Sequence, residues 1–168
     1  MTEKTHQSQQ KAMWLCLFAA LMLAFFYWVK PPISIAYDPN DEQCLPDVRL
    51  ALLVHNAASS IQRGDDIFWK PTGALHYIKQ AFVLKRVAGI PGDHVQIEEG
   101  VVKINDAIVV SGFPLLDLKK TQVSAFARDE IIPPGHVFMI GTHPRSNDSR
   151  YWGYLKTQDI VGRGYKIF

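Results

Sequence analysis

The chain has 168 residues, 48% of them hydrophobic and 20% charged, with a formal net charge of +2. That length suits one domain with a core large enough to fold without staples. The small, dispersed charge argues against a nucleic-acid partner, because no run of lysine and arginine exceeds two residues. No Cys/His cluster has zinc spacing, so neither a metal nor a cofactor is expected.

In chain order, the first element is an uncharged apolar run over 12–29, flanked by Lys11 and Lys30. As a helix at about 1.5 Å per residue it just spans a hydrocarbon core of about 30 Å. It ends in Phe25-Phe-Tyr-Trp28, an aromatic belt suited to a membrane interface. A cleaved signal peptide would have a shorter core and small residues after it. Here Lys30-Pro-Pro32 follows instead, so an uncleaved anchor in the lipid bilayer is expected. Three parts result: an arm over 1–11, the anchor over 12–29, and an exported β domain over 30–168. The lysines near the ends favour a cytoplasmic N-terminus, with the remainder on the periplasmic side of a bacterial inner membrane.

Beyond the anchor, residues 30–34 form a stiff, proline-directed exit. An apolar strand is predicted over 48–54, and Gly64-Asp-Asp-Ile-Phe-Trp69 reads as a turn opening a second. A further strand lies within 77–90. Residues 95–110 alternate with period 2 around turns at Glu99-Gly100 and Asn105-Asp106, as hairpins do. The stretch 111–130 reads as polar and irregular, and the last two strands fall within 133–141 and 159–168. Apart from the anchor no amphipathic helix is evident. The expected fold is mainly β: one transmembrane helix followed by a small barrel or a pair of packed sheets.

Within 77–90 two adjacent cations, Lys85 and Arg86, must point to opposite faces of a strand. Lys85 shares its face with Val83 and Val87. A lysine directed into apolar surroundings loses preference for its charged form and becomes a candidate base. The other reading is an edge strand from which Lys85 snorkels to water. The two cysteines, Cys16 in the anchor and Cys44 beyond it, fall on opposite sides of the membrane interface and cannot pair. Cys44 is therefore a lone thiol, reactive or buried and inert.

Four segments then fall in an order that resembles the signal peptidase I family of membrane-anchored serine proteases. They are Gly64-Asp-Asp-Ile-Phe-Trp69, Lys85-Arg-Val-Ala-Gly-Ile-Pro-Gly-Asp93, Ser146-Asn-Asp-Ser-Arg-Tyr-Trp-Gly153 and Ile160-Val-Gly-Arg163. The second resembles the family's general-base box almost residue for residue. The resemblance implies a signal-peptidase-like β domain with Lys85 as base, Ser146 orienting it, and Asp148 with Arg150 as a supporting ion pair. It breaks at the nucleophile, where the family has serine before proline. Here Gln43-Cys-Leu-Pro46 has that context, which resembles the family's conjugative-transfer branch with Cys44 in the serine's place. Ser34 is the alternative nucleophile, at a plausible distance from the anchor but lacking the proline. The family's Gly-Asp-Asn opening is replaced by Gly141-Thr-His-Pro-Arg145, one residue shorter, which leaves His143 as a lone loop histidine.

The implied activity is that of a membrane-bound endopeptidase working on exported precursors, pilin-like ones in the conjugative branch. The acyl-enzyme would be attacked by water or by the pilin's own amine, giving a cyclic product. The backbone N–H of Cys44 would serve the oxyanion. The competing reading is a catalytically inactive assembly protein that binds pilin or secretion components through the same fold.

Overall fold

The structure, a computed structural model, describes residues 2–29, 32–39, 44–55, 60–72 and 81–168, with no side-chain description for 2–10, 26 and 29. The chain divides into two units, Met1–Pro32 and Ile33–Phe168. The first holds helix α1, Thr2–Val29, which begins well before the apolar run and so takes in the expected arm. The anchor expected over 12–29 includes Phe26 and Val29, whose side chains lie outside the described residues. Among those described, no helix is long and apolar enough to cross a membrane.

The second unit is built from eleven described strands in two antiparallel sheets. The larger has seven strands: β1 (Ile33–Tyr37), β2 (Leu50–His55), β3 (Asp66–Trp69), β4 (Val83–Gly89), β9 (His136–Ile140), β10 (Leu155–Lys156) and β11 (Ile160–Lys166), in the order β1-β2-β11-β3-β4-β9-β10. The smaller has four, in the order β7-β6-β5-β8: β5 (His94–Glu98), β6 (Val101–Ile104), β7 (Ala107–Ser111) and β8 (Arg128–Ile131). Two single-turn helices complete it, α2 (Leu116–Lys119) and α3 (Ser149–Trp152).

The period-2 pattern explains where each strand packs. In β4 the residues alternate strictly between buried and half-buried, with Val83, Lys85 and Val87 on the buried face. Lys85 is 1% exposed, so it does not snorkel. In β5 and β6, Val95, Ile97, Val102 and Ile104 pack into one apolar cluster with Phe138 and Ile140 of β9. The turns between these strands use positive φ at Glu99 and Gly100, then at Asn105 and Asp106. Asparagine, aspartate and glycine tolerate that region best, which is why both turns were readable.

Three expectations need correction. The stretch read as irregular, 111–130, contains α2, a 3₁₀ turn at Val123–Phe126 and the start of β8. Strand β8 is Arg-Asp-Glu-Ile, with three of four residues exposed, so it is held by backbone pairing to β5 rather than by burial. The exit at 30–34 becomes edge strand β1 from Ile33 onward, paired with β2, and residues 30 and 31 lie outside the described residues. The Asp-Ser-Arg-Tyr-Trp box holds α3, with the Asp148 carboxylate at its N-cap accepting the Arg150 N–H. Of the strand expected within 77–90, residues 77–80 lie outside the described residues.

Candidate active site

Lys85 comes from the middle of β4, paired across the sheet with Ile67 of β3. Its Nζ donates to Cys44 Sγ at 3.0 Å and to Ser146 Oγ at 2.8 Å. The three side chains come from segments 41 and 61 residues apart, so only the tertiary fold brings them together. Cys44 is half-buried, at the head of a tight turn closed by the Val48 N–H donating to the Leu45 carbonyl at 2.9 Å. Leu45 and Val48, 3% and 5% exposed, pin that turn into an apolar cluster with Ala51, Leu53 and Phe68. The turn thus has a hydrophobic foot and a thiol at its open end.

Ser146 belongs to the loop between β9 and α3, and that loop is locked by a buried ion pair. Arg150 Nε and Nη2 donate to the two Asp148 carboxylate oxygens at 2.8 and 2.9 Å, and both residues are fully buried. The remaining hydrogen-bonding capacity is used locally. Arg150 Nη1 donates to the Gly112 carbonyl at 2.8 Å and Nη2 to the Ser146 carbonyl at 3.2 Å, while Asp148 accepts the Gly141 N–H at 3.1 Å. A buried pair satisfied this fully fixes geometry, and removing one partner leaves an uncompensated charge worth about 3–5 kcal/mol. It therefore holds both ends of the loop, Gly141 and Ser146, that flank Lys85.

Gly141 was not singled out in the sequence, and it is the tightest point of the site. A Cβ there would lie 2.1 Å from Ser146 Oγ and 2.7 Å from the Cys44 carbonyl oxygen. The loop passes so close to the Cys44 turn that His143 N–H donates to that same carbonyl at 3.2 Å. The position of a glycine just after a buried strand was the available signal. Arg86, on the other face of β4, forks onto Asp66 at 2.7 and 2.9 Å and reaches Asp47, three residues after Cys44, at 3.3 Å. It ties the Cys44 turn to β3 and β4 from outside.

The alternative nucleophile, Ser34, sits on β1, with its hydroxyl 3.1 Å from His55 Nε2. Lys85 Nζ is not among its partners. His143 is tied up in its own loop, with Nδ1 accepting the Arg145 N–H at 3.1 Å. Among the described residues, no group of three or more His, Cys, Asp or Glu could hold a metal ion. The arrangement is a thiol, an amine and a hydroxyl in one hydrogen-bonded line, suited to moving a proton off sulfur.

A sequence profile described as signal peptidase, peptidase S26, matches residues 8–168. The chain belongs to the signal peptidase family. It is 35% identical over 113 residues to signal peptidase I of Leptolyngbya laminosa, covering 64% of this chain and 52% of that one. To the probable signal peptidase I-1 of Synechocystis sp. it is 32% identical over 158 residues, covering 88% and 74%. To the conjugal transfer protein TraF of Agrobacterium fabrum it is 27% identical over 86 residues, covering 51% and 48%. The chain thus spans about half the length of the first of these relatives.

Proposed function

We propose that this chain is a membrane-anchored peptidase that cleaves exported precursor proteins with Cys44 as nucleophile. The observation that carries the reading is the 3.0 Å contact between Cys44 Sγ and Lys85 Nζ, with Ser146 Oγ behind the nitrogen. Sγ attacks the scissile carbonyl while its proton passes to Lys85. Lys85 then gives that proton to the leaving amine, and the acyl group stays on sulfur as a thioester. In the second half, an incoming water or amine loses its proton to Lys85 as it attacks that thioester. Ser146 accepts one of the Nζ hydrogens and so turns the nitrogen lone pair toward the proton on sulfur. Asp148 and Arg150 act through Ser146, as positioning residues.

The uncharged run over 12–29 and the lysines beside it support the anchor and the direction of the chain in this reading. On it the β unit works on the periplasmic side of a bacterial inner membrane, where exported precursors arrive. Likeness to a conjugal transfer protein, together with the Cys44-Leu-Pro46 context, supports a pilin-like precursor as substrate.

The test is processing of an exported precursor in membranes. Cys44→Ala and Lys85→Ala should each slow cleavage by at least about 10³-fold, as loss of one member of a catalytic unit does. Both variants should still resist carbonate extraction from the membrane. Wild-type rates in either variant would end this reading and leave a binding protein of the same fold.

A further inference from the structure

The same contact that suits catalysis has a second chemical outcome. Cys44 is half-buried, so a small oxidant can reach its sulfur, while Lys85 is 1% exposed and its nitrogen lies 3.0 Å away. The chain has two cysteines, and the other, Cys16, belongs to the helical unit. The β unit therefore holds no second thiol to resolve an oxidised Cys44 as a disulfide. Lys85 Nζ is the one side-chain partner of Sγ among the described residues, and Ser146 Oγ at 2.8 Å holds it in place.

We propose that Cys44 and Lys85 form a reversible redox switch, in which a hydroperoxide oxidises the sulfur and the lysine captures it as a sulfenamide. In the first step Sγ attacks one oxygen of hydrogen peroxide, the O–O bond breaks, and water leaves. The sulfur has lost two electrons and is a sulfenic acid. In the second step the Nζ lone pair attacks sulfur, the S–N bond forms and the S–O bond breaks. The departing hydroxide takes a proton from nitrogen and leaves as water. Capture stops the sulfur from advancing to the irreversible sulfinic acid. A reducing thiol reverses it: one thiol breaks the S–N bond and returns the amine, and a second releases Cys44 and leaves as a disulfide.

The switch silences the enzyme because both members of the dyad are consumed in one bond, a consequence that rests on the catalytic reading of Cys44. The bond itself needs only the observed geometry. The experiment uses the full chain in membranes, carrying Cys16→Ala so that one thiol remains. It is treated with a small excess of hydrogen peroxide, then split between intact-mass measurement, peptide mapping and precursor processing. The expected product is lighter by about 2 Da, two hydrogens lost, and yields a cross-linked peptide containing Cys44 and Lys85. Processing falls as this species accumulates, and dithiothreitol restores both the mass and the activity. Lys85→Leu, apolar and without a second oxidisable sulfur, should give no cross-link, and its Cys44 peptide should become heavier by about 32 Da, the sulfinic acid. Gain of oxygen on the Cys44 peptide without a cross-link in the lysine-bearing protein overturns the proposal, as does a loss of two hydrogens that persists in Lys85→Leu. A cross-link that leaves processing intact overturns the switch and the catalytic reading together, whereas inactivation without a cross-link overturns the switch alone.

Discussion

In the four-stranded sheet, β5 and β6 bury Val95, Ile97, Val102 and Ile104 at no more than 4% exposure, all of it hydrocarbon. The ten residues from Gly141 to Arg150 bury Ser146, Asp148, Ser149 and Arg150 at no more than 3%. These four loop residues are as dry as the hydrocarbon ones, but hydrophobic transfer accounts only for the latter. The polar loop needs partners for its buried donors and acceptors, and the Asp148–Arg150 fork and the Ser149 hydroxyl, which accepts the Met139 N–H at 2.8 Å, supply several of them. The small sheet specifies a shape. The loop specifies the location of one hydroxyl beside one amine.

That contrast can be broken most severely at the ion pair. Arg150→Ala should destabilise the β unit by about 3–5 kcal/mol, because Asp148 is left charged and unpaired. Ile97→Val, equally buried in the hydrocarbon cluster, should lose only about 0.5–1.5 kcal/mol. Chemical denaturation of the two variants measures the difference. The double change Asp148→Leu with Arg150→Met should recover part of that stability and no processing, since no charge is left unpaired but the loop loses its hold on Ser146.

Gly141→Ala separates position from stability. The added methyl cannot sit beside Ser146 Oγ and the Cys44 carbonyl without moving one of them. A displacement of about 1 Å at a reacting group is enough for about a 10²-fold loss of rate. The expected result is a fall in kcat with a nearly unchanged KM, alongside the loss of about 1–3 kcal/mol of stability that overpacking costs. A stability loss of that size with an unchanged kcat would show that the loop is a packing element only.

A smaller effect concerns pH at the turn joining the two sheets. Hydrogen bonding from the Arg63 guanidinium holds the Asp93 carboxyl down at about 2, and the Ile90 N–H and the Asn105 amide add to it. Because the folded value lies below the ordinary one of 3.8, this stability is present above about pH 4 and is lost as pH falls through about 2. Asp93→Asn should remove about 1–2 kcal/mol at neutral pH, a figure discounted because Arg63 is half exposed, and should flatten the acid limb of the stability curve. An unchanged acid limb would place the acid sensitivity elsewhere.

The legible parts of the chain were those where one local rule suffices. The alternation around Lys85 gave its face, and the Glu99-Gly100 and Asn105-Asp106 turns gave the small sheet's hairpins. The resemblance grouped Cys44 and Ser146 with Lys85, whose Nζ lies 3.0 Å from Sγ and 2.8 Å from Oγ. Strand β8 was hidden because Arg128-Asp-Glu-Ile131 pairs by its backbone and buries almost nothing. Helix α3 was hidden because one turn gives no periodicity, and only the Asp148 cap marks it. The role of Gly141 was only hinted at by its place after a buried strand, because the space it needs is set by Ser146 together with the Cys44 carbonyl from a segment far away in sequence. The fork from Arg86 to Asp66 and Asp47 joins three separate segments in the same way.

The central claim is that sulfur at residue 44, activated by Lys85, carries the acyl group. The direct measurement is mass spectrometry of the full chain quenched in acid during turnover of a poor precursor substrate. The expected product is the precursor's N-terminal fragment attached to Cys44, released by neutral hydroxylamine as a thioester is, and absent from Lys85→Ala. An adduct on Ser34, or continued processing by Cys44→Ala with no adduct on any residue, would contradict it.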